Sequence, residues 1–381
     1  MSHSRGPRVA LVHDWLTGFR GGEQVLLSLA RLFPEAPIYS LLHVKGSLPD
    51  EIERRDIKTS FIGRLPFARR LYRHYLPLFP LAVRGLDVRD FDLVLSSSHC
   101  VAKSVVPGVR ARHLCYCHTP MRYVWDRFDD YFGPARMGRV ASAGLRVMAE
   151  GLRAWDAATA GRVHHYIANS HTVAGRIRYF YGREAEVIEP PVDTDFFTPG
   201  SLEGPIEEPG YDLVVSALVP YKRIDLAVGA ARLSGRRLVV VGSGPEEGRL
   251  RALAGPLVEF VRSAPRERLR DLYRNCRSLV LPGVEDFGIV VAEALACGRP
   301  AVTNALGGGA EIIENGRFGA TFREASPEAL ARALAEIVPG RFDKLALRQK
   351  AESFSRARFE ARLRESVERH GGTLTGDGKA A

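Results

Sequence analysis

The segment GVEDFGIVVAEALACGRP (Gly283–Pro300) combines residue types suited to holding a phosphorylated sugar. Glu285 lies in a loop after the apolar run SLVLPG, Gly288 opens a helical pattern, and Glu293 follows within its first two turns. The first amides of a helix have no partner within it, so those of Gly288, Ile289 and Val290 are suited to diphosphate oxygens. Carboxylates accept from hydroxyls, which suits Glu285 and Glu293 to sugar and ribose. In SALVPYKRIDLAV, Lys222 and Arg223 stand immediately before another helical stretch, where side-chain charge and helix dipole attract an anion together. Taken alone, that pair reads as solvated surface charge; with the glutamate loop it reads as the phosphate side of one site.

Other loops carry weaker signals. The apolar run RHLCYC delivers His118 to its carboxyl end, ahead of Pro120, Arg122, Tyr123 and Trp125. A lone histidine is more often structural than catalytic, but strand ends in parallel sheets are where ligands bind. Gly21-Gly22, just before a helical pattern, permit close backbone approach to a ligand. VGSGPEEG, with Gly242 and Gly244, resembles a dinucleotide fingerprint, but its third glycine comes one residue late and Pro245 follows the second. It reads as a tight loop beside a ligand and gives little support to a nicotinamide enzyme. Asp193-Thr194-Asp195 follows two prolines and suits structural hydrogen bonds better than a metal. The five cysteines form no CxxC pair, which points to reduced thiols and no zinc site.

The elements that position these loops are short β-rich runs alternating with helical patterns from end to end, the pattern of βαβ units and parallel sheets. RVALVH, PIYSLL, DLVLSSS, RHLCYCH, HHYIANS and AEVIEP form a first series. YDLVVSALV, RRLVVVGSG, LVEFVR, SLVLPG, PAVTNA and GATF form a second, after the turn-prone stretch TPGSLEGPIEEPG. Helices are expected over 22–32 and 170–181, the latter with Ser170 as N-cap and Gly182 as its stop. The expected class is α/β with two doubly wound domains: residues 1–197 and 198–353, then a helix at 354–370 and a disordered tail at 371–381.

Hydrophobic residues make up 45% and charged residues 26% of the 381, which excludes fibrous and disordered classes for the bulk of the chain. No apolar run approaches the ~20 residues of a membrane span, and the start lacks a signal-peptide core, so a cytoplasmic protein is expected. The net charge of +10 is uneven. Residues 57–86 hold six Lys/Arg, among them Arg64, Arg69, Arg70 and Arg73, with no acid, interleaved with Phe61, Phe67, Tyr72, Tyr75 and Phe79. Peripheral contact with an anionic bilayer and a solvated face over a core-packing stripe explain this pattern equally well. Nucleic acid is disfavoured, because no binding module accompanies the charge.

EDFGIVVAE, LVPYKRID, IANSHTVAGRIRYFYGR, VIEPPVDTDFF, YCHTPMRYVWD and RGGEQVL together resemble the retaining GT-B glycosyltransferases of family 4 (group 1), over almost the whole chain. Within that family they look most like the bacterial mannosyltransferase-type branch of surface polysaccharide assembly. The resemblance implies two Rossmann-like domains facing across a cleft, with a C-terminal helix returning to the first. It implies a hexosyltransferase using a nucleotide-diphosphate sugar, GDP-mannose first, on a glycan or lipid-linked acceptor, with no metal or other cofactor. Lys222 would meet the diphosphate, Glu293 the ribose, and Glu285 with Phe287 and Gly288 the transferred sugar. His118 would meet that sugar from the first domain, Gly22 would admit sugar or phosphate, and Arg262 would lie beside the base. The family usually has arginine in place of Ala217, and its loss is expected to weaken sugar-nucleotide binding unless Arg223 or another cation substitutes. The alternatives are a sugar-nucleotide epimerase or hydrolase, or a catalytically silent sugar-nucleotide or membrane-binding protein.

Overall fold

The computed structural model describes residues 7–134, 138–200 and 210–372. The alternation of apolar runs and helices resolves into two sheets, each in its own compact unit: one runs to Pro190 and resumes at Phe359, the other is Pro191–Arg358. The division thus falls between two prolines, earlier than residue 197. Nine residues of the turn-prone stretch, 201–209, lie outside the described residues, as does the expected disordered tail beyond Gly372.

The first sheet contains β1 (Val9–His13), β2 (Ile38–Ser40), β3 (Ile57–Thr59), β4 (Leu93–Ser98), β5 (Arg112–Cys117), β6 (His165–Ala168) and β7 (Ala185–Val187). Its order is β3-β2-β1-β4-β5-β6-β7, every pair parallel. Such a sheet is covered on both faces, and β1 is buried throughout. Alternation divides its side chains. Val9 and Leu11 join Leu26, Leu29 and Phe359, whereas Ala10 and Val12 join Trp15, Tyr72 and Phe79. β3 was not anticipated. Its Ile57 is half-buried and Lys58 and Thr59 are exposed, so this edge strand lacks the apolar signature.

The second sheet contains β8 (Asp212–Val215), β9 (Leu238–Val241), β10 (Val258–Val261), β11 (Leu279–Leu281), β12 (Ala301–Asn304) and β13 (Gly319–Phe322). Its order is β10-β9-β8-β11-β12-β13, again all parallel. Both sheets are doubly wound, and in each the order reverses beside the first strand, where ligand crevices form.

Helix boundaries follow local chemistry. Ser170 Oγ accepts from Val173 N at 3.1 Å ahead of the helix His171–Tyr181, and Gly182, at φ 61°, ends it. The helix Gly21–Leu32 begins one residue earlier than expected and takes both glycines into its first turn. The C-terminal helix Arg356–His370 buries Phe359, Leu363 and Val367, spaced four apart on one face, in the first unit's core. Glu186 holds it there, accepting from Ser366 Oγ at 2.6 Å and Arg369 at 2.7 Å, while the His370 ring stacks on His165 at 3.6 Å.

The basic stretch 57–86 uses its residues on two sides. Tyr72, Leu76 and Phe79 are core, so these two aromatics are unavailable to a bilayer. Arg64, Arg69, Arg70 and Arg73 are exposed, together with Phe67, Leu71, Leu78 and Leu81. Phe67 is 78% exposed and sits at φ 52°. Among the described residues no helix is long and apolar enough to cross a membrane.

Candidate active site

At the reversal point of the second sheet the loops after β8 and β11 lie side by side. Pro220–Lys222 forms a single 3-10 turn and Arg223 adopts the left-handed conformation at φ 51° before the helix Ile224–Ser234. This aims Lys222 at the neighbouring loop, where its ammonium donates to the Glu285 carboxylate. Both side chains are mostly buried, at 19% and 13% exposure, so the pair is partly shielded from water.

Glycines make this approach possible. A Cβ on Gly283 would lie 2.8 Å from Tyr221 O and 2.9 Å from Lys222 Cα, so the loop after β11 passes directly against the lysine turn. On its other side, a Cβ on Gly307 would meet Glu285 O at 2.5 Å and one on Gly308 would meet Asp286 O at 2.3 Å. Gly308 N donates to Glu285 O at 2.9 Å. Glu285 is thus held between two glycine-bearing loops.

Gly288, at φ 90°, precedes the helix Ile289–Ala296. Its first turn closes with Val291 N donating to Gly288 O at 2.9 Å, after the Gly288, Ile289 and Val290 amides. Glu293, on that helix, accepts from the fully buried Tyr273 hydroxyl at 2.7 Å. Burial pushes its carboxyl up to about 7, against the opposing pull of Tyr273 and Arg266, with Asp193 adding to the push. Arg266 is itself paired to Asp193 at 2.6 Å, which gives that aspartate the structural role expected.

In the first unit, β1 and β4 are neighbours at the reversal point, and His13 and Ser97 are register partners on them. His13 Nδ1 is 3.1 Å from Ser97 Oγ, which is 2.8 Å from His118 Nε2 at the end of β5. Gly22 borders this group: a Cβ there would lie 3.5 Å from His13 Cε1 and 3.7 Å from His118 Nε2. Glu23 Oε1 stands 3.8 Å from His13 Nε2, while its Oε2 accepts from Arg20 N at 3.0 Å. Burial raises the Glu23 pKa, but the nearby His13, the backbone at Glu23 and His99 together outweigh it, leaving the carboxyl below its ordinary value. Burial, then His99, His13 and Arg122, hold His118 well below the ordinary histidine value, so its ring is neutral near pH 7. Buried Asp14 accepts from the amides of His99, Cys100, Val101 and Ala102 at 2.6–3.0 Å, fixing the loop after β4.

The sequence-derived residues therefore sort as follows. Lys222 and Glu285 meet at one reversal point, Gly288, Ile289 and Val290 open the helix that follows, Glu293 lies on that helix against Tyr273, and Gly22 and His118 adjoin at the other reversal point. Phe287 turns its ring into the core, against Phe354, so its side chain lines no site. Gly242 and Gly244 answer to protein contacts: a Cβ at either would lie 1.9 Å from Ser216 O or 2.3 Å from Leu218 O, respectively. Arg223 pairs with Asp225 at 3.1 Å, which occupies the charge expected to replace the arginine absent at Ala217. Arg262 is 79% exposed and paired with Glu247 at 3.4 Å.

Sequence reasoning passed over His13, Asp14, Glu23, Ser97, His99, Tyr273, Gly283 and Gly307–Gly309. Part of the signal was present: HD closes the apolar run VALV, and three serines end the buried strand DLVLSSS.

Two doubly wound parallel sheets, one in each unit, give the chain the GT-B type of α/β fold. Residues 19–196 match the family described as Glycosyltransferase Family 4, and residues 203–356 match Glycosyl transferases group 1. It is 36% identical over 194 residues to the D-inositol 3-phosphate glycosyltransferase of Mycobacteroides abscessus, covering 46% of this chain and 42% of that one. It is 33% identical over 234 residues to the enzyme of the same name from Acidothermus cellulolyticus, covering 53% and 51%. The chain therefore spans about half the length of these relatives. Their name refers to inositol phosphate, and the expected mannosyltransferase branch is not what these matches bring out.

In fold, the chain resembles HepE of Anabaena in complex with UDP and glucose, at TM-score 0.68 and 17% identity over 95% of this chain and 99% of that one. Sucrose-phosphate synthase of Thermosynechococcus elongatus gives TM-score 0.68 and 19% identity over 95% and 98%.

Proposed function

We propose that the protein is a retaining glycosyltransferase that moves a hexose from a nucleotide-diphosphate sugar to a hydroxyl-bearing acceptor. The observation that carries this reading is the Lys222–Glu285 pair beside the helix-start amides of Gly288–Val290, with Glu293 on the same helix. Breaking the anomeric C–O bond leaves negative charge on the diphosphate. Lys222 and those amides supply preorganised positive charge for it, so the scheme calls on no resident metal. Glu285 accepts from hydroxyls of the transferred sugar and Glu293 from those of the ribose, while His118, in the first unit, binds a sugar hydroxyl.

Retention follows when the acceptor hydroxyl attacks from the face the diphosphate leaves. The new C–O bond forms as the old one breaks, and the acceptor proton passes to a departing phosphate oxygen. No protein nucleophile is involved. Intact mass spectrometry is expected to show no glycosyl-enzyme during turnover; a stable adduct on a carboxylate rules this route out.

The acceptor is proposed to be a glycan or lipid-linked hydroxyl of surface polysaccharide assembly, and the sugar mannose from GDP-mannose, on the resemblance of the motifs. The names of the relatives support inositol phosphate as the competing acceptor, and the HepE complex supports UDP-glucose as the competing sugar nucleotide. A calorimetric panel of nucleotide sugars against wild type and Lys222→Ala tests the reading. One sugar nucleotide is expected to bind, and the variant to weaken it by roughly tenfold to a hundredfold, the size of a lost charged hydrogen bond. Failure of every nucleotide sugar to bind overturns it. Product analysis separates transfer from epimerisation, which needs no acceptor and leaves the nucleotide attached.

We also propose a cytoplasmic protein that docks on the inner face of an anionic membrane. Arg64, Arg69, Arg70 and Arg73 would meet lipid phosphates while Phe67, Leu71, Leu78 and Leu81 enter the interface. Replacing the four arginines by glutamate is expected to abolish flotation with phosphatidylserine vesicles; equal flotation of both forms removes the proposal.

A further inference from the structure

We propose that Tyr116 is a positioning residue for His118, anchoring that ring to both segments by which the chain passes between its two units. The inference rests on the functional reading above, in which His118 meets the sugar, and names what holds the ring in place for that contact.

The two crossings converge on one side chain. The chain leaves the first unit at Pro190 and re-enters it at Phe359. Shortly before the first crossing, Ile188 presents its carbonyl oxygen to the Tyr116 hydroxyl at 2.8 Å. At the second, Phe359 is the first residue back, and its ring stands edge-on to that of Tyr116 with the centroids 5.7 Å apart. Just inside the second unit the same two segments are joined to each other: Val192 N donates to Phe354 O at 2.8 Å, and Val192 bridges Ser355. A carbonyl oxygen only accepts, so the phenol is the donor. Burial, with Glu189 and Cys117 adding to it against Arg362, holds that phenol well above its ordinary value, and it stays protonated.

At the end of β5 the same tyrosine reaches the site. Tyr116 and His118 are two positions apart, the spacing that puts side chains on one face of a sheet, and their ring centroids are 5.1 Å apart. The His118 backbone is held on both sides, its N–H donating to Ser98 O at 2.8 Å and its carbonyl accepting from the Asn169 amide at 3.0 Å. What remains is the rotation of the ring, and the Tyr116 ring and the Ser97 hydroxyl, 2.8 Å from Nε2, restrict it. Tyr116, Ile188 and Phe359 are all buried, so water does not replace their contacts. Interiors are close-packed, so displacing Ile188 or Phe359 displaces Tyr116 and with it the ring of His118. Tyr116 acts only through that histidine.

Proton–nitrogen NMR of the full chain labelled with 15N-histidine reads the ring directly, with His118→Gln identifying its signals. Wild type is expected to give one sharp set of His118 ring signals. Tyr116→Phe keeps the ring and removes only the bond to Ile188; it is expected to split or broaden those signals, as is Phe359→Leu. With GDP-mannose and UDP-glucose as probes, Tyr116→Phe is expected to lower kcat for release of the nucleoside diphosphate by roughly threefold to tenfold, the size of one neutral hydrogen bond, with calorimetric affinity unchanged. Tyr166→Phe is the matched control, since Tyr166 is also fully buried and donates to a backbone carbonyl, Ala160 O at 3.1 Å, but packs in a different core cluster from Tyr116. It is expected to lose similar thermal stability while leaving the His118 signals and kcat unchanged. An unchanged His118 spectrum in Tyr116→Phe, or an equal loss of kcat in Tyr166→Phe, overturns the positioning role. The spectra need no ligand, which separates the two readings. The expected spectra with no binding or turnover of any nucleotide sugar sink the functional assignment alone, whereas turnover with an unperturbed His118 in Tyr116→Phe sinks the role of Tyr116 alone.

Discussion

Glu293 is the residue whose chemistry and stability pull in opposite directions. With its carboxyl raised to about 7, the folded protein holds a proton there that the unfolded chain releases near 4.5. The unfolded state therefore binds fewer protons between those values, and the stability supplied by this group falls as pH rises from about 4.5 through 7. On the proposed reading Glu293 accepts from ribose hydroxyls, and its ionised form is the better acceptor. Sugar-nucleotide affinity is accordingly expected to rise between pH 6 and 8, with an inflection that Glu293→Gln abolishes in calorimetry. The same variant keeps an acceptor for Tyr273 and is expected to melt at higher temperature than wild type at pH 8, with a smaller difference at pH 5. A pH-independent affinity removes Glu293 from the ribose.

At the scale of elements, glycine loops decide where charged groups lie, and they fall into two kinds. Gly283 is filled by protein: a Cβ would be 2.8 Å from Tyr221 O, so Gly283→Ala must push the Lys222 turn away from Glu285. The expected result is a loss of about 1–3 kcal/mol in stability together with weaker sugar-nucleotide binding, read by thermal melting and calorimetry. Gly22 is different, since its Cβ would make only ordinary contacts with His13 and His118. Gly22→Ala is expected to leave the melting temperature nearly unchanged while raising KM, because the added methyl takes space beside His118. Unchanged kinetics in that variant would show that no ligand approaches this turn.

At the scale of the whole molecule, the C-terminal helix Arg356–His370 returns to the first unit and completes its core. Phe359 packs edge-on to Tyr116 at 5.7 Å, on the strand that ends at Cys117 just before His118. Phe359→Ala is expected to cost about 3–5 kcal/mol and to lower the melting transition of the first unit, with sugar-nucleotide binding to the second retained. The check is calorimetric scanning with and without nucleotide sugar. Equal effects on both units would show that the helix supports them jointly.

The sequence determined the α/β class, the strands of both sheets except the edge strand β3, and the groups on single loops, because apolar runs, caps and strand-end polar residues are local signals. Lys222, Glu285 and Glu293 were legible for that reason: each lies in or just after a loop whose chemistry is written in consecutive residues. Tertiary structure alone decided which loops meet. His13 and Ser97 lie 84 positions apart, and Ser97 and His118 lie 21 apart; they adjoin only because β1 and β4 pair at the reversal point and β5 follows β4 in the sheet. It likewise decided that Gly242 and Gly244 let the loop after β9 pass against the loop after β8, that Phe287 is core, and that Tyr72 and Phe79 face inward. Periodicity marks which residues share a face, but the neighbour covering that face is supplied by a distant part of the chain.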